Sequence, residues 1–149
     1  MRLDWTIDTY VLYNAAKNDF DSITLLFGIL SAGHLVSFDF EGHIEKEYRR
    51  CMKRTAKEKG NDLLKKWFAE IVAKSAQKFC GKLDKRHKTE FQKLEFDPSD
   101  WPFVAVCAYS SSKNLVAEES DYNNEVKLYV KEQMSITVLS VRDSNILLR

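Results

Sequence analysis

Residues 94–122 read LEFDPSDWPFVAVCAYSSSKNLVAEESDY, and this stretch predicts a helix followed by a short strand. Most side chains in the apolar run 103–109 are small, as expected of a helix that packs closely against a sheet. Pro102 lacks a backbone N–H and therefore belongs in a first turn, which predicts that the helix begins within 99–102. Asp100 then lies at a helix N-terminus, where we expect its carboxylate to stay ionised.

The strand predicted after this helix, at 114–117, leads directly into the acidic residues Glu118, Glu119 and Asp121. In α/β proteins, sites form at the carboxyl ends of the parallel strands. The acids at the helix start and the acids after the strand are therefore predicted to lie in one region.

Strands and helices alternate along the rest of the chain, which predicts one α/β domain over residues 1–149 with a mainly parallel sheet. Apolar periodicity and capping residues predict strands at 3–8, 34–38 and 136–139, and helices from Thr9, from Asp19 or Asp21 to Leu30, and at 42–57, 62–76 and 122–134. The fourth of these helices is expected to bury Leu63, Leu64, Trp67, Phe68, Ile71 and Val72. Residues 79–93 are charged and irregular, which suits a flap or a short extra helix.

Composition limits the class of protein. With five Gly and two Pro in 149 residues, the chain is neither a turn-rich all-β protein nor disordered. The apolar runs are too short to span a membrane, and the first strand follows Met1 closely, so we expect no signal peptide and no membrane association. Three widely spaced cysteines, Cys51, Cys80 and Cys107, predict reduced thiols in a cytoplasmic protein.

Charge is segregated along the chain although the net charge is only +1. Residues 49–93 carry fifteen Lys or Arg and five Asp or Glu, and the remainder is acidic. This distribution suits a metal-dependent enzyme that acts on a polyanion. The alternative is that the basic residues are the solvated faces of two amphipathic helices.

The helix predicted at 42–57 carries one acid on its apolar face. Ile44, Glu47, Tyr48 and Cys51 fall at i, i+3, i+4 and i+7, so Glu47 is the one charge on that face, and Glu45 points elsewhere. An inward carboxylate is costly unless it is paired or binds a metal. The alternative is a salt bridge to a buried Arg or a side chain that reaches outward.

Carboxylates that converge repel one another and raise one another's pKa. A hard divalent cation such as Mg²⁺ or Mn²⁺ relieves this repulsion, since both take oxygen ligands. The chain has no phosphate loop, no GxSxG and no HExxH, and its three histidines lack zinc-ligand spacing. The residues expected to share the site are Asp8, Glu47, Asp100, Glu119 and Asp121.

Four segments in order resemble the motifs of the PIN domain nucleases. Residues 6–14 resemble the family's opening strand with its aspartate, Asp8, and residues 44–50 its second acidic motif, which points to Glu47 rather than Glu45. Residues 100–108 are similar to the third motif, an aspartate that opens a small-residue helix. Residues 115–122 resemble the fourth, a strand that leads to acids and an aromatic residue.

This resemblance covers most of the chain and implies a three-layer α/β/α fold and a Mg²⁺- or Mn²⁺-dependent endoribonuclease. It assigns metal binding and catalysis to the five acids named above. Many small members are toxins held inactive by an antitoxin, and homodimers are frequent, so an RNA substrate, a protein inhibitor and a homodimer are expected. The residues expected to bind substrate are Thr9, Lys82, Lys85, Arg86 and Lys88.

Three positions depart from the family's pattern. Tyr10 stands where a small polar residue is usual, Ala117 where Thr or Ser is usual, and Glu119 where Asp is commoner. These departures leave open a catalytically weakened PIN-like scaffold that binds RNA or a protein partner. A phosphoryl-accepting receiver domain is a further alternative, but it would need paired acids after the first strand, where this chain has only Asp8.

Overall fold

The structure, a computed structural model, describes residues 2–118 and 120–149. Within them, five β-strands and eight α-helices alternate, with one short 3₁₀-helix, Pro98–Asp100, before the sixth α-helix. The strands are β1 Asp4–Ile7, β2 Leu35–Asp39, β3 Ala76–Phe79, β4 Asn114–Val116 and β5 Thr137–Leu139. The helices are α1 Thr9–Ala16, α2 Phe20–Ser31, α3 His43–Arg54, α4 Asn61–Lys74, α5 Lys85–Lys93, α6 Trp101–Tyr109, α7 Asn124–Met134 and α8 Val141–Leu148.

The five strands form one parallel sheet in the order β3-β2-β1-β4-β5. The chain builds the sheet outwards from β1 in one direction through β2 and β3. It then crosses back to add β4 and β5 on the other side. The strand order therefore reverses between β1 and β4, and such a switch point opens a crevice at the carboxyl ends of the two strands.

Helices cover both faces of the sheet and form a three-layer α/β/α sandwich. Helices α1, α2, α4 and α8 pack together, whereas α6 lies across β1, β2, β3 and β4. Aromatic rings join α6 to α5 and α7, since the Phe91 ring lies 6.1 Å from that of Trp101 and 5.4 Å from that of Tyr129. Because both faces are covered, all four residues of β1 are buried, as expected of a central parallel strand.

The structure confirms the predicted fold class, and its differences from the sequence prediction lie in peripheral elements. The edge strand β3 and the last helix, α8, were not predicted. Of the segment 79–93, expected to be a flap or a short extra helix, residues 85–93 form the helix α5, which Asp84 caps by accepting from the backbone N–H of His87 at 3.0 Å.

Helix α4 buries Leu64, Trp67 and Ile71 as predicted, but Leu63 and Val72 are each 42% exposed. The prediction for these two residues was wrong, because the helix presents a narrower face to the core than the apolar pattern suggests. None of the described helices is both long and apolar enough to cross a bilayer.

Candidate functional site at the carboxyl end of the sheet

Asp8 is held at the carboxyl end of the central strand. Its backbone N–H donates to Val116 O at 2.9 Å, which ties the end of β1 to β4. The buried hydroxyl of Tyr48 donates to the carbonyl of Ile7, the residue before it. The Asp8 side chain caps α1 by accepting from the Tyr10 N–H at 3.2 Å and is only 4% exposed. Its position is therefore determined from three directions.

Burial is the largest influence on the Asp8 carboxyl and raises its pKa to about 6. The hydrogen bond from the Tyr10 N–H acts in the opposite direction. The charges of Asp121, Glu118 and Glu47 raise the pKa further, in that order. Three acids from two separate segments therefore lie close enough to Asp8 to oppose its ionisation.

Asp100 lies at the N-terminus of α6, as the sequence predicted. The short 3₁₀-helix that ends at Asp100 is capped by Asp97, which accepts from the Ser99 N–H at 3.0 Å. The Ser99 carbonyl lies 3.3 Å from His43 Nε2 at the start of α3, so the starts of α3 and α6 are adjacent. The Asp100 side chain makes no capping hydrogen bond of its own.

The expectation that Asp100 stays ionised was wrong near neutral pH. Burial raises the pKa of its carboxyl to about 7, and the charges of Asp8, Asp121, Asp97 and Glu47 add to this effect. A helix N-terminus favours a negative charge only modestly at a surface site. Desolvation and several like charges outweigh that contribution here.

Glu47 lies on the face of α3 that faces the other acids, but it is not fully buried. Its side chain is 26% exposed and forms an ion pair with Arg50 at 2.8 Å, one turn further along α3. Arg50 is itself 49% exposed, so Glu47 has an Arg partner, but the partner lies at the surface and is not the buried Arg of the alternative. Glu45 forms its own exposed pair with Arg49 at 3.3 Å. Glu47 thus contributes charge to the site while it is held partly in solvent.

The loop after β4 contributes a residue that sequence reasoning passed over. Glu118 raises the pKa of Asp8 and is partly buried. Its carbonyl accepts from the Asp121 and Tyr122 N–H groups at 3.3 Å each, which closes the loop. Glu119, the residue chosen from the sequence, lies outside the described residues. The only feature of the sequence that could have pointed to Glu118 rather than Glu119 is its position, which is one residue closer to the end of β4.

Tyr122 forms the floor behind these acids. It is fully buried, and its hydroxyl has no hydrogen-bond partner among the described residues. Burial raises the pKa of the phenol well above its usual value, followed by the charges of Asp8 and Asp100. A neutral aromatic ring, which packs on Phe96 at 5.0 Å, therefore lies close to the carboxylates.

Two further buried acids are accounted for by backbone capping. Both carboxylate oxygens of Asp39, at the end of β2, accept from α3, namely from the His43 and Ile44 N–H groups at 2.8 Å each. Asp4 similarly accepts from Ser111 and Ser112 at the opposite end of the sheet. These acids are structural, whereas no ion pair between described residues includes Asp8 or Asp100.

The acids share one edge of the sheet without forming a ready-made metal cage. Among residues 2–118 and 120–149, no three His, Cys, Asp or Glu side chains are arranged closely enough to hold a metal ion. The acids were expected to converge on one point. The structure shows that they influence one another's charge, but not that they are arranged as metal ligands: Asp8, Glu47, Asp100 and Asp121.

The residues predicted to bind substrate do not form one group, since Thr9 directly follows Asp8 and the predicted cations come from another segment. The Thr9 hydroxyl is buried and has no partner among the described residues. The predicted cations are exposed at the start of α5 or just before it: Lys82, Lys85, Arg86 and Lys88. Lys82 lines a small cavity of about 210 Å³ with Ala108 and Tyr109, at the end of α6 opposite Asp100. Lys82 therefore lies near the end of α6 that is far from Asp100, although the two residues are close in sequence.

Asp8 and Glu118 follow β1 and β4, the two strands between which the strand order reverses, so the acids occupy the switch-point crevice. Comparison of the chain with protein-family models, with curated proteins and with solved structures gives no match. The function is therefore inferred from the chain's own residues.

Proposed function

We propose that this chain is a Mg²⁺- or Mn²⁺-dependent ribonuclease that resembles the PIN domain nucleases. The observation that carries the proposal is the meeting of Asp8, which is buried, and Asp100, which is partly buried, at the switch point, where the pKa of each carboxyl is raised although the two residues come from distant segments. Buried carboxylates without a cationic partner destabilise a fold, and groups with such shifts are concentrated at functional sites.

The donor set suits a hard divalent cation. Mg²⁺ is usually held by one or two carboxylates, with waters and substrate phosphates as its other ligands. A site of this kind needs no cage of three protein ligands, so the geometry of the described residues is compatible with it. Asp8 and Asp100 are the residues that would hold the cation, with Glu118, Asp121 and Glu47 nearby to balance its charge.

A bound divalent cation would supply Lewis-acid activation of a water and neutralise charge on the phosphate. The chain's own residues position this chemistry. Asp8 cannot move independently, because the Tyr10 N–H and the ends of β1 and β4 hold it. In the reaction, a water oxygen would form a bond to phosphorus as the bond from phosphorus to the leaving oxygen breaks. A carboxylate of the site would accept the proton released by the water, and the leaving oxygen would take up a proton from solvent.

The test is cleavage of an unstructured RNA with Mn²⁺ or Mg²⁺. Asp8→Asn and Asp100→Asn keep the side-chain shape but remove the charge, so we expect cleavage to fall by orders of magnitude while circular dichroism shows an intact fold. Glu45→Gln is the matched control, because Glu45 lies on α3 near Glu47 but pairs with Arg49 at the surface. Wild-type protein that leaves RNA intact with either cation would refute the proposal.

The ion pair between Glu47 and Arg50 favours a second candidate, a catalytically weakened scaffold that binds RNA or a protein partner. Arg50 neutralises one of the acids that a cation would otherwise need. Arg50→Gln would release Glu47 and should strengthen cation binding if the pair weakens the site. A wild-type protein that binds RNA without cutting it, together with an Arg50→Gln variant that cuts, would support this candidate over the first.

A further inference from the structure

A cavity of about 580 Å³ opens beside the acids. Its walls come from the start of α1, the loop after β4 and the start of α8. Two of its lining residues also belong to the surroundings of Asp8: the backbone of Tyr10 donates to the Asp8 carboxylate, and Glu118 raises its pKa. The cavity therefore adjoins the site at which we propose that a phosphodiester is cut.

The size and lining of the cavity suit a flat, partly polar ligand. Its volume lies within the roughly 300–1,000 Å³ typical of small-molecule sites. Ala117 and Leu139 give it an apolar surface, and Tyr10, which is 42% exposed, offers an aromatic ring. Aromatic side chains of this kind stack on the bases of single-stranded nucleic acid.

The start of α8 adds a donor and an acceptor next to each other. Ser140 caps the helix by accepting from the Asp143 N–H at 3.0 Å, which leaves its hydroxyl hydrogen able to donate. The Asp143 carboxylate lines the cavity, is exposed, and has no hydrogen-bond or ion-pair partner among the described residues. A carboxylate can only accept, and it can accept two parallel N–H bonds.

We propose that this cavity is the subsite for the nucleobase that flanks the scissile phosphate, and that it prefers guanine; this rests on the proposed ribonuclease function. Tyr10 stacks on the base. Asp143 accepts from the two adjacent N–H groups of the guanine edge, while Ser140 donates to its carbonyl oxygen. Uracil offers a single N–H at the same edge and therefore makes one bond fewer to the carboxylate.

The binding test uses neutral nucleosides, because a phosphate group would be repelled by the acids. Guanosine and uridine are titrated into the full-length chain, and backbone amide shifts are followed by NMR. We expect guanosine to bind about tenfold more tightly than uridine, with shifts at Tyr10, Leu139 and Ser140. Tyr10→Ala should weaken guanosine binding roughly tenfold. Tyr109→Ala, which removes an exposed tyrosine outside this cavity, should change nothing.

Asp143→Asn tests the base preference and should reduce the ratio of guanosine to uridine affinity to near one, because an amide both donates and accepts. Equal affinities in the wild type, no binding up to the solubility limit of guanosine, or an unchanged affinity in Tyr10→Ala would overturn the subsite.

Mapping of cleavage sites on an RNA that contains all four bases separates this inference from the function on which it rests. Cuts concentrated next to guanine in the wild type, and spread over all bases in Asp143→Asn, support both. Guanosine binding without RNA cleavage would refute the ribonuclease proposal and leave a site for free guanine nucleosides. If RNA is cleaved with no base preference, and Tyr10→Ala has no effect on the cleavage, the subsite alone is refuted.

Discussion

The carboxylate of Asp8, at the end of β1, opposes the ionisation of Asp100, at the start of α6. Burial is the largest cause of the raised pKa of Asp100, and the charge of Asp8 is the next. With the charges of other nearby acids, these causes raise the pKa to about 7. The two residues lie far apart in the sequence. The fold thus concentrates negative charge where the strand order of the sheet reverses, and this costs stability unless a cation or a proton is bound.

The first prediction concerns stability and pH in metal-free buffer. The folded pKa values of Asp8 and Asp100 are raised above the ordinary value, so the folded state binds protons that the unfolded chain has released. Their contribution to stability is fully present below about pH 4 and is lost as pH rises to about 7. We expect Asp100→Asn to increase the free energy of unfolding at pH 8 by about 1–3 kcal/mol, and hardly at pH 4.

Urea denaturation with EDTA at both pH values measures this effect. The matched control is Asp62→Asn, an exposed aspartate in the first turn of α4. It should leave the pH dependence of stability unchanged. Equal effects of the two substitutions at pH 8 would show that Asp100 is not under electrostatic strain.

The second prediction concerns cation binding. Mn²⁺ should raise the melting temperature more at pH 8 than at pH 5.5, because protons compete with the cation for Asp8 and Asp100. A cation at a hundred times its Kd stabilises the folded state by about 2.7 kcal/mol. Differential scanning fluorimetry with KCl at matched ionic strength provides the comparison. A shift of the same size in Asp100→Asn would place the cation elsewhere.

The third prediction concerns the support of Asp8 by Tyr48. Tyr48→Phe removes the buried hydrogen bond to the Ile7 carbonyl and should cost about 1 kcal/mol of unfolding free energy. Because Ile7 precedes Asp8, we also expect weaker Mn²⁺ binding and slower RNA cleavage. Tyr109→Phe is the control, since Tyr109 is 60% exposed. If Tyr48→Phe lowers stability but leaves Mn²⁺ affinity unchanged, its hydroxyl does not position Asp8.

The fourth prediction contrasts two glycines. A Cβ at Gly60 would lie 2.1 Å from Ala15 O, a backbone atom of α1 that cannot move aside. Gly60→Ala should therefore destabilise the protein by about 3 kcal/mol or loosen the contact between α1 and α4. A Cβ at Gly28, within α2, would meet the flexible end of Leu148 at 3.2 Å, so Gly28→Ala should gain up to about 1 kcal/mol of helix propensity. Thermal melts that show two losses of equal size would contradict this contrast.

The elements that could be predicted from sequence are those with strong local signals. Pro102 predicted the start of α6, and the apolar periodicity of residues 44–51 predicted the orientation of α3. The sequence left the cap of α2 open between Asp19 and Asp21, and the structure shows that Asp19 is the cap. Alternation of strands and helices was sufficient to predict the parallel α/β fold, because short connections leave few other arrangements. Strand β3 was missed because three of its four residues are exposed, and its backbone becomes a strand only by pairing with β2.

The sequence by itself therefore determined which acids end strands and begin helices, since caps and periodicity depend on neighbouring residues. Tertiary structure decided which of these acids act on one another. Asp39 is the last residue of β2 and Asp8 directly follows β1, but both oxygens of Asp39 accept hydrogen bonds from α3, whereas Asp8 is exposed to the charges of Asp121, Glu118 and Glu47. The mutual repulsion of these acids was expected from the sequence, but burial arises only when distant segments meet, so the burial of the Asp8 carboxyl and the cavity beside it could not be inferred from the sequence alone.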